Sequence, residues 1–280
     1  DRDMLLIPSL AIHMNREVNE HSSLNAQKDT LPLYGMMDAR DTFMKQIAEA
    51  AGVSEDQILG HDLFLYCRMP GTIWGGEDAF VSSGRLDDLQ CAFSSLKGFL
   101  AGKKEKSICV HCVLDNEEVG SGTKQGAAST FLKDTLMRIN AGLGRDQEDY
   151  LRTLSESFMV SADNAHAVHP NYADKTDPGN RPYINEGIVI KFNANQKYCT
   201  DAVSAAMFRM ICKEAEVPYQ TFTNRSDMAG GSTLGNIANT QAAMNTVDIG
   251  LPQLSMHSPY ETAGVKDTLY LIKAAEKLFA

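Results

Sequence analysis

The chain has 280 residues, 43% of them hydrophobic and 22% charged, as in a folded globular protein long enough for one large or two modest domains. Its 36 acidic against 26 basic residues give a formal net charge of -10, and the densest basic run is only "KKEK" at 103–106, which argues against nucleic acid as a partner. No apolar run reaches membrane-spanning length, and the acidic opening "DRDMLLIPSL" lacks the basic start of a secretory signal, so neither a membrane nor an export route is expected.

Along the chain, "LLIPSLAIHM" reads as an apolar, strand-like stretch, which would make His13 a buried strand histidine. "DTFMKQIAEAAG" carries Met44, Ile47, Ala48 and Ala51 at helical spacing and stops at Gly52. "DLFLYCRM" alternates Leu63, Leu65, Cys67 and Met69 on one face, the pattern of a half-buried strand. Pro and Gly in "PGTIWGGED" break the pattern and place a domain boundary near residue 79. A helix is then predicted over 88–101, with Leu89, Ala92, Phe93, Leu96, Phe99 and Leu100 as its core stripe.

An apolar strand at 107–114 follows, then a helix holding Phe131, Leu132, Leu136 and Ile139. "SFMVSAD" and "GIVIKF" are further strands. A helix from about 201 shows Val203, Ala206, Met207, Met210 and Ile211. "NTVDIGL" reads as the last strand and "DTLYLIKAAEKLF" as the closing helix. Strands alternating with helices, several of them apolar on both sides, predict an α/β sheet with helices on both faces.

The six cysteines sit in apolar segments without the density of a disulfide scaffold, which predicts a reducing cytoplasm. Cys109 and Cys112 form a C-x-x-C, but on a strand they would face opposite sides, so they read as plain buried cysteines.

Acidic residues collect where the predicted strands end, the usual place for a site in an open α/β sheet. Glu117 and Glu118 follow one strand, Asp163 closes another, Asp87 precedes a helix, and His257 lies in the loop after the last strand. Hard carboxylates with one imidazole suit zinc, manganese or cobalt. The adjacent glutamates fit a division of labour, one holding a metal and the other taking a proton from water. Taken alone, an Asp before a helix is commonly a cap, and Asp88 reads that way.

The ordered motifs "SGRLDDL", "DNEEVGS", "SADNAHAVHPNY", "VIKFNANQKY" and "LPQLSMHS", with "IPSLAIHMNREVNE" before them, resemble the aspartyl aminopeptidase family that includes vacuolar aminopeptidase I. The resemblance covers nearly the whole chain. It implies a metalloaminopeptidase with two divalent ions, zinc in preference to cobalt or manganese, that removes N-terminal residues, often acidic, from peptides. It also implies a homo-oligomer built from dimers into a tetrahedral dodecamer.

Carried over by position, Asp87 bridges both metals, Glu118 and His257 complete one set of ligands, and Asp163 serves the other. Glu117 resembles the general base. The Asp87–Asp88 peptide bond is expected to be cis. His13 resembles a histidine that reaches a neighbouring subunit's site and stabilises the oxyanion, Lys191 one that contacts substrate, and Asp227 and Gly230 belong to the segment matching the substrate pocket. His166 and His169 are expected beside the ligands rather than among them.

The family's H-T-D motif, whose histidine binds the second metal, is absent here. The resemblance therefore divides the chain into part of a smaller, strand-rich oligomerisation or lid domain over 1–79 and a mixed-sheet catalytic domain over 80–280 lacking its N-terminal portion. The competing expectation is a non-catalytic remnant or fragment that serves as an assembly or peptide-binding module.

Overall fold

The computed structural model describes residues 2–105 and 107–280, so Asp1 and Lys106, the last residue of the basic run, lie outside the described residues. The chain divides into two compact units, Asp1–Arg68 and Met69–Ala280.

In the first unit regular structure is sparse. Helix α1 (Phe43–Ala51) buries Ala48 and ends at Gly52, whose φ of 70° is the left-handed value that glycine adopts without a side-chain clash. Tyr34 meets Phe43 edge-on at 5.2 Å, and a lone bridge joins Leu6 to Leu33. Two expected strands are corrected here: the stretch at 5–14 and the alternating stretch at 62–69 form none. An apolar alternation becomes a strand only where a neighbour offers a ladder, and among the described residues neither stretch has one beyond the Leu6–Leu33 bridge. His13 accordingly lies exposed in a turn rather than buried in a strand.

The second unit is α/β with two mixed sheets. β1 (Thr72–Trp74), β2 (Phe80–Ser83) and α2 (Leu86–Ala101) come first, followed by α3 (Phe131–Gly142) and α4 (Gln147–Glu156). β3 (Phe158–Ala162), β4 (Ala165–His166), β5 (Ile188–Phe192), α5 (Ala202–Glu214), β6 (Tyr219–Thr223) and α6 (Leu234–Asn239) follow. β7 (Asn245–Gly250), β8 (Pro252–Leu254), β9 (Glu261–Gly264) and α7 (Val265–Leu278) close the chain. The inner sheet has the order β3-β7-β5-β6, parallel except where β5 meets β7, and the outer sheet has the order β1-β2-β9-β8-β4. "NTVDIGL" is thus not the last strand; it runs on through Leu251 into β8 of the second sheet.

β5 is buried on both faces, as its unbroken apolar run predicts. Ile188 and Ile190 join Val247, Ile249, Phe208, Cys212, Leu271 and Ala274 in one core under α2, α5 and α7. On the opposite face Val189 packs with Ala165, Tyr198 and Phe222, and α6 brings Gly235 against the Asp248 and Ser161 side chains. A third cluster, Tyr150, Leu154 and Ala242, holds α4 with Leu132 and Leu136 of α3.

Two helices turn a different face inward from the one their apolar stripe predicted. α2 buries Gln90, Cys91, Ser94 and Gly98, while Leu89, Phe93, Leu96 and Leu100 are exposed. Close packing against α7 decides the matter: a Cβ on Gly98 would come within 2.4 Å of the Ala275 Cβ, an approach that only a small-residue face allows. α5 likewise buries Ser204, Ala205, Phe208 and Cys212 and leaves Val203 and Met210 outside. The predicted strand at 107–114 is also absent. That segment is half-buried beside α2, with His111 hydrogen-bonding Ser95 at 3.0 Å, and has no ladder partner among the described residues. All six cysteines are free; Cys109 and Cys112, expected to be buried, are only half-buried. Among the described residues no helix is long and apolar enough to cross a membrane.

Candidate metal centre

Four short stretches deliver three sets of acidic side chains and one histidine, and all but the stretch at Asp163 do so through left-handed backbone. After β2 the chain turns through Gly84 and Arg85, the latter at φ 61°, and Asp87 is still extended (φ -82°, ψ 113°) before the helix proper begins. The Asp87–Asp88 peptide bond is cis, as the resemblance implied. Glu117 and Glu118 sit in one tight 3₁₀ turn, entered by Asn116 at φ 60° and closed by Gly120 at φ 100°. Asparagine and glycine are the residues that tolerate this conformation best, so "DNEEVG" is built to bend sharply.

Asp163 and Asn164 occupy the break between β3 and β4, where the strand passes from the inner to the outer sheet. Gly250 lies opposite: a Cβ there would meet the Asp163 carbonyl at 2.1 Å and the Lys191 Cε at 2.9 Å. His257, at φ 66°, stands in the turn after β8.

These stretches converge. His257 Nε2 lies 3.2 Å from Asp87 Oδ2 and 3.1 Å from Glu118 Oε2, so the three side chains can hold one ion. Asp87, Asp88 and Asp163 form a second group of ligand atoms close enough for another. Asp87 belongs to both. Asp88, read from sequence as a helix cap, makes no cap bond; its Oδ1 and that of Asp87 are buried without a hydrogen-bond partner. Buried carboxylate oxygens are costly unless something binds them, and a cation is the partner that hard oxygen donors suit. The residues therefore fit divalent metal. Among the described residues no histidine joins the second group.

The groups open into a cavity of about 640 Å³ that Glu117 also lines. Burial, with the Asp163 charge adding, pushes Asp87 up to about 8; burial, with Asp163 and Glu118 adding, pushes Glu117 up to about 7. Asp88 and Glu118 are raised as well, again chiefly by burial.

Lys191, 3% exposed, donates to the Asn164 carbonyl at 2.7 Å and pairs with Asp163 Oδ2 at 3.5 Å. Burial alone would lower its pKa; Asp163, Tyr198 and Asp248 outweigh this and hold it above the usual lysine range. Gly230, His166 and His169 line the cavity too, outside both ligand groups. Asp227 does not line it. It is exposed and grips Arg225 through two bonds of 2.9 and 2.7 Å. His13 belongs to the other compact unit. Sequence reasoning missed Asp88, Asn224 and Glu261. Asn224 lines the cavity with a buried, unpaired Oδ1, and only a structure reveals that.

A metal-free chain should be more stable at pH 5.5 than at pH 7.5. The raised carboxyls bind protons in the folded state that the unfolded chain, with ordinary carboxylate values near 4, has already released. Stability therefore falls as pH climbs from about 4 toward their folded values. Asp267, pushed up to about 7 by burial, adds in the same sense. The exposed carboxyls held low, Asp177 and Asp201, titrate below this window. His111 and His166, lowered by burial, act in the opposite sense below about 6.5, but the raised carboxyls Asp87, Asp88, Glu117, Glu118 and Asp267 outnumber them. Saturating zinc should reverse the order, because it binds the deprotonated ligands. Melting curves at the two pH values, with chelator and with zinc, check this; an unchanged order would contradict it.

Hard carboxylates and one imidazole gathered over a cleft are the donor set of a divalent-metal centre of the zinc type. The family is equally definite: the Aminopeptidase I zinc metalloprotease (M18) model matches residues 1–279, and the chain belongs to that family. It is 47% identical over 282 residues to a protein of Clostridium acetobutylicum named Probable M18 family aminopeptidase 2, covering 99% of this chain and 65% of that one. Among solved structures it is similar to Ape4 in its complex with Nbr1, with a TM-score of 0.91, 33% identity, all of this chain and 58% of the other. The S. cerevisiae mApe1 dodecamer matches with a TM-score of 0.77 at 25% identity, over 99% of this chain and 62% of that one. The chain thus spans 58–65% of the length of these relatives, less than two thirds.

Proposed function

We propose that the second unit is the metal-binding part of an aminopeptidase acting on peptide N-termini. The observation that carries this is the pair of ligand groups sharing Asp87 inside one cavity with Glu117. Glu118 and His257 would hold one divalent ion with Asp87; Asp163 and Asp88 would hold a second with it. Zinc bound there supplies Lewis acidity toward the scissile carbonyl and an attacking water.

The chain's own groups do the rest. Glu117, outside both ligand groups and pushed up toward neutrality, takes the proton from the attacking water and returns it to the leaving amine. Lys191 uses two of its three donor directions on Asp163 and Asn164, leaving one for a substrate carbonyl. Lys175 on the wall favours an acidic first residue. His13, exposed on the first unit, is accessible to a second copy, in keeping with a homo-oligomer.

The test is hydrolysis of aspartyl and leucyl chromogenic substrates by the zinc-loaded chain, before and after chelator. Turnover that chelator abolishes and zinc restores supports the reading. Zinc uptake without turnover would favour an assembly or peptide-binding module.

A further inference from the structure

We propose that Glu261 is a positioning residue that sets the spacing of Asp87 and His257, and so the affinity of the centre for metal; this rests on the metal-centre reading above. Glu261 opens β9 and is 2% exposed. Its Oε2 accepts the Asp87 backbone N–H at 2.9 Å, and its Oε1 accepts the His257 backbone N–H at 2.7 Å. One carboxylate therefore grips the main chain of two residues whose side chains meet 3.2 Å apart, although 170 positions separate them.

The surroundings explain why a carboxylate is needed. β9 pairs with β2 so that Glu261 stands opposite Ser83, immediately before the turn leading to Asp87. The turn carrying His257 lies against the turn carrying Asp87: a Cβ on Gly84 would come 3.1 Å from the Pro259 carbonyl. His257 itself is held at φ 66°, a conformation that persists in a non-glycine residue only where neighbours impose it. Burying a carboxylate costs free energy unless it is well bonded, and no ion pair among the described residues includes Glu261. What compensates is acceptor capacity. A carboxylate presents two acceptor oxygens and no donor, so it can take both N–H groups at once, whereas glutamine would turn a donor toward one of them. Neither bond touches a ligand atom; Glu261 acts only through where it holds the two backbones.

The experiment measures zinc affinity of the metal-free chain by competition with a chromophoric chelator, for wild type, Glu261→Gln, His257→Ala and the double variant. Melting of each metal-free protein is followed in parallel. Removing a group that orients metal ligands typically weakens affinity about 10–100-fold, and Glu261→Gln should fall in that range. The double variant should bind little worse than His257→Ala, because the two changes disable the same ligand set. Should Glu261→Gln fail to fold, Glu261→Asp, which keeps the charge but draws the oxygens back, carries the same comparison.

Wild-type zinc affinity in a folded Glu261 variant would overturn the inference, whatever happened to its melting temperature, as would fully additive losses in the double variant. A wild-type chain that takes up no zinc would overturn the metal-centre reading, and this inference with it.

Discussion

Glu117→Gln should lower kcat by about 10²–10⁴-fold while KM and zinc content stay near wild type, the signature of a lost proton acceptor. Geometry supports the separation of effects: Glu117 lines the cavity but belongs to neither ligand group, so its charge can be removed without taking away a ligand. Its environment is also tuned. Burial, Asp163 and Glu118 raise it to about 7, against the opposing charges of Lys191 and His257. A base poised there is half-ionised near neutral pH, and cations nearby favour its ionised form. The wild-type rate should therefore rise with pH along an acidic limb lying below 7, and the variant's residual rate should lose that limb. A Glu117→Gln variant with undiminished turnover would falsify the base assignment.

Asp87→Asn should abolish uptake at both ligand groups, because Asp87 is the one residue they share. Its effect on affinity should exceed the 10–100-fold that a supporting residue costs. The same substitution should leave the metal-free fold intact. At neutral pH the metal-free Asp87 side chain, pushed up to about 8 by burial, Asp163 and Glu118, carries a proton, and asparagine has the shape of that protonated acid. Melting of the metal-free variant should match or exceed wild type at pH 7.5 and depend less on pH. Zinc counted per chain after dialysis, with the melting curves, checks both halves. A variant that still binds two ions would show that the groups do not share this ligand.

The strands and helices that could be read from sequence were those whose side chains decide their own environment. β5 reads as a near-continuous apolar run and is central, whereas β7, buried as deeply, carries Thr246 and Asp248 on one of its faces. α1 carried its own stop signal at Gly52. Where a neighbour decides, the sequence misled. α2 presents leucines and phenylalanines on one side and Gln90, Cys91, Ser94 and Gly98 on the other, and the second side is buried because α7 approaches too closely for large residues. The stretches at 62–69 and 107–114 alternate or run apolar as strands do, yet pairing needs a partner that periodicity cannot reveal. β8 and β9 were missed because Pro252 and the polar "ETAG" lack any strand pattern.

Of the site, Asp87, Glu118, Asp163 and His257 were legible through ordered motifs and do converge. Asp88 and Glu261 were not, since one resembled a cap and the other an ordinary strand residue. The segment placed in the pocket by resemblance does line the cavity through Arg225, Met228 and Gly230, while Asp227 itself forms an exposed pair with Arg225.

The ligands come from four stretches spread over 170 positions, and the ladder that brackets Asp163 pairs residues near 160 with residues near 248. Contacts this distant along the chain form only after long loops have closed, which places them late in folding. Until β7 and β9 are in place, Asp163 has no opposing Gly250 and neither Asp87 nor His257 has Glu261 to hold it. The arrangement of these side chains is therefore a property of the finished molecule, so a nascent or partly unfolded chain displays the acidic motifs without the geometry that brings them together.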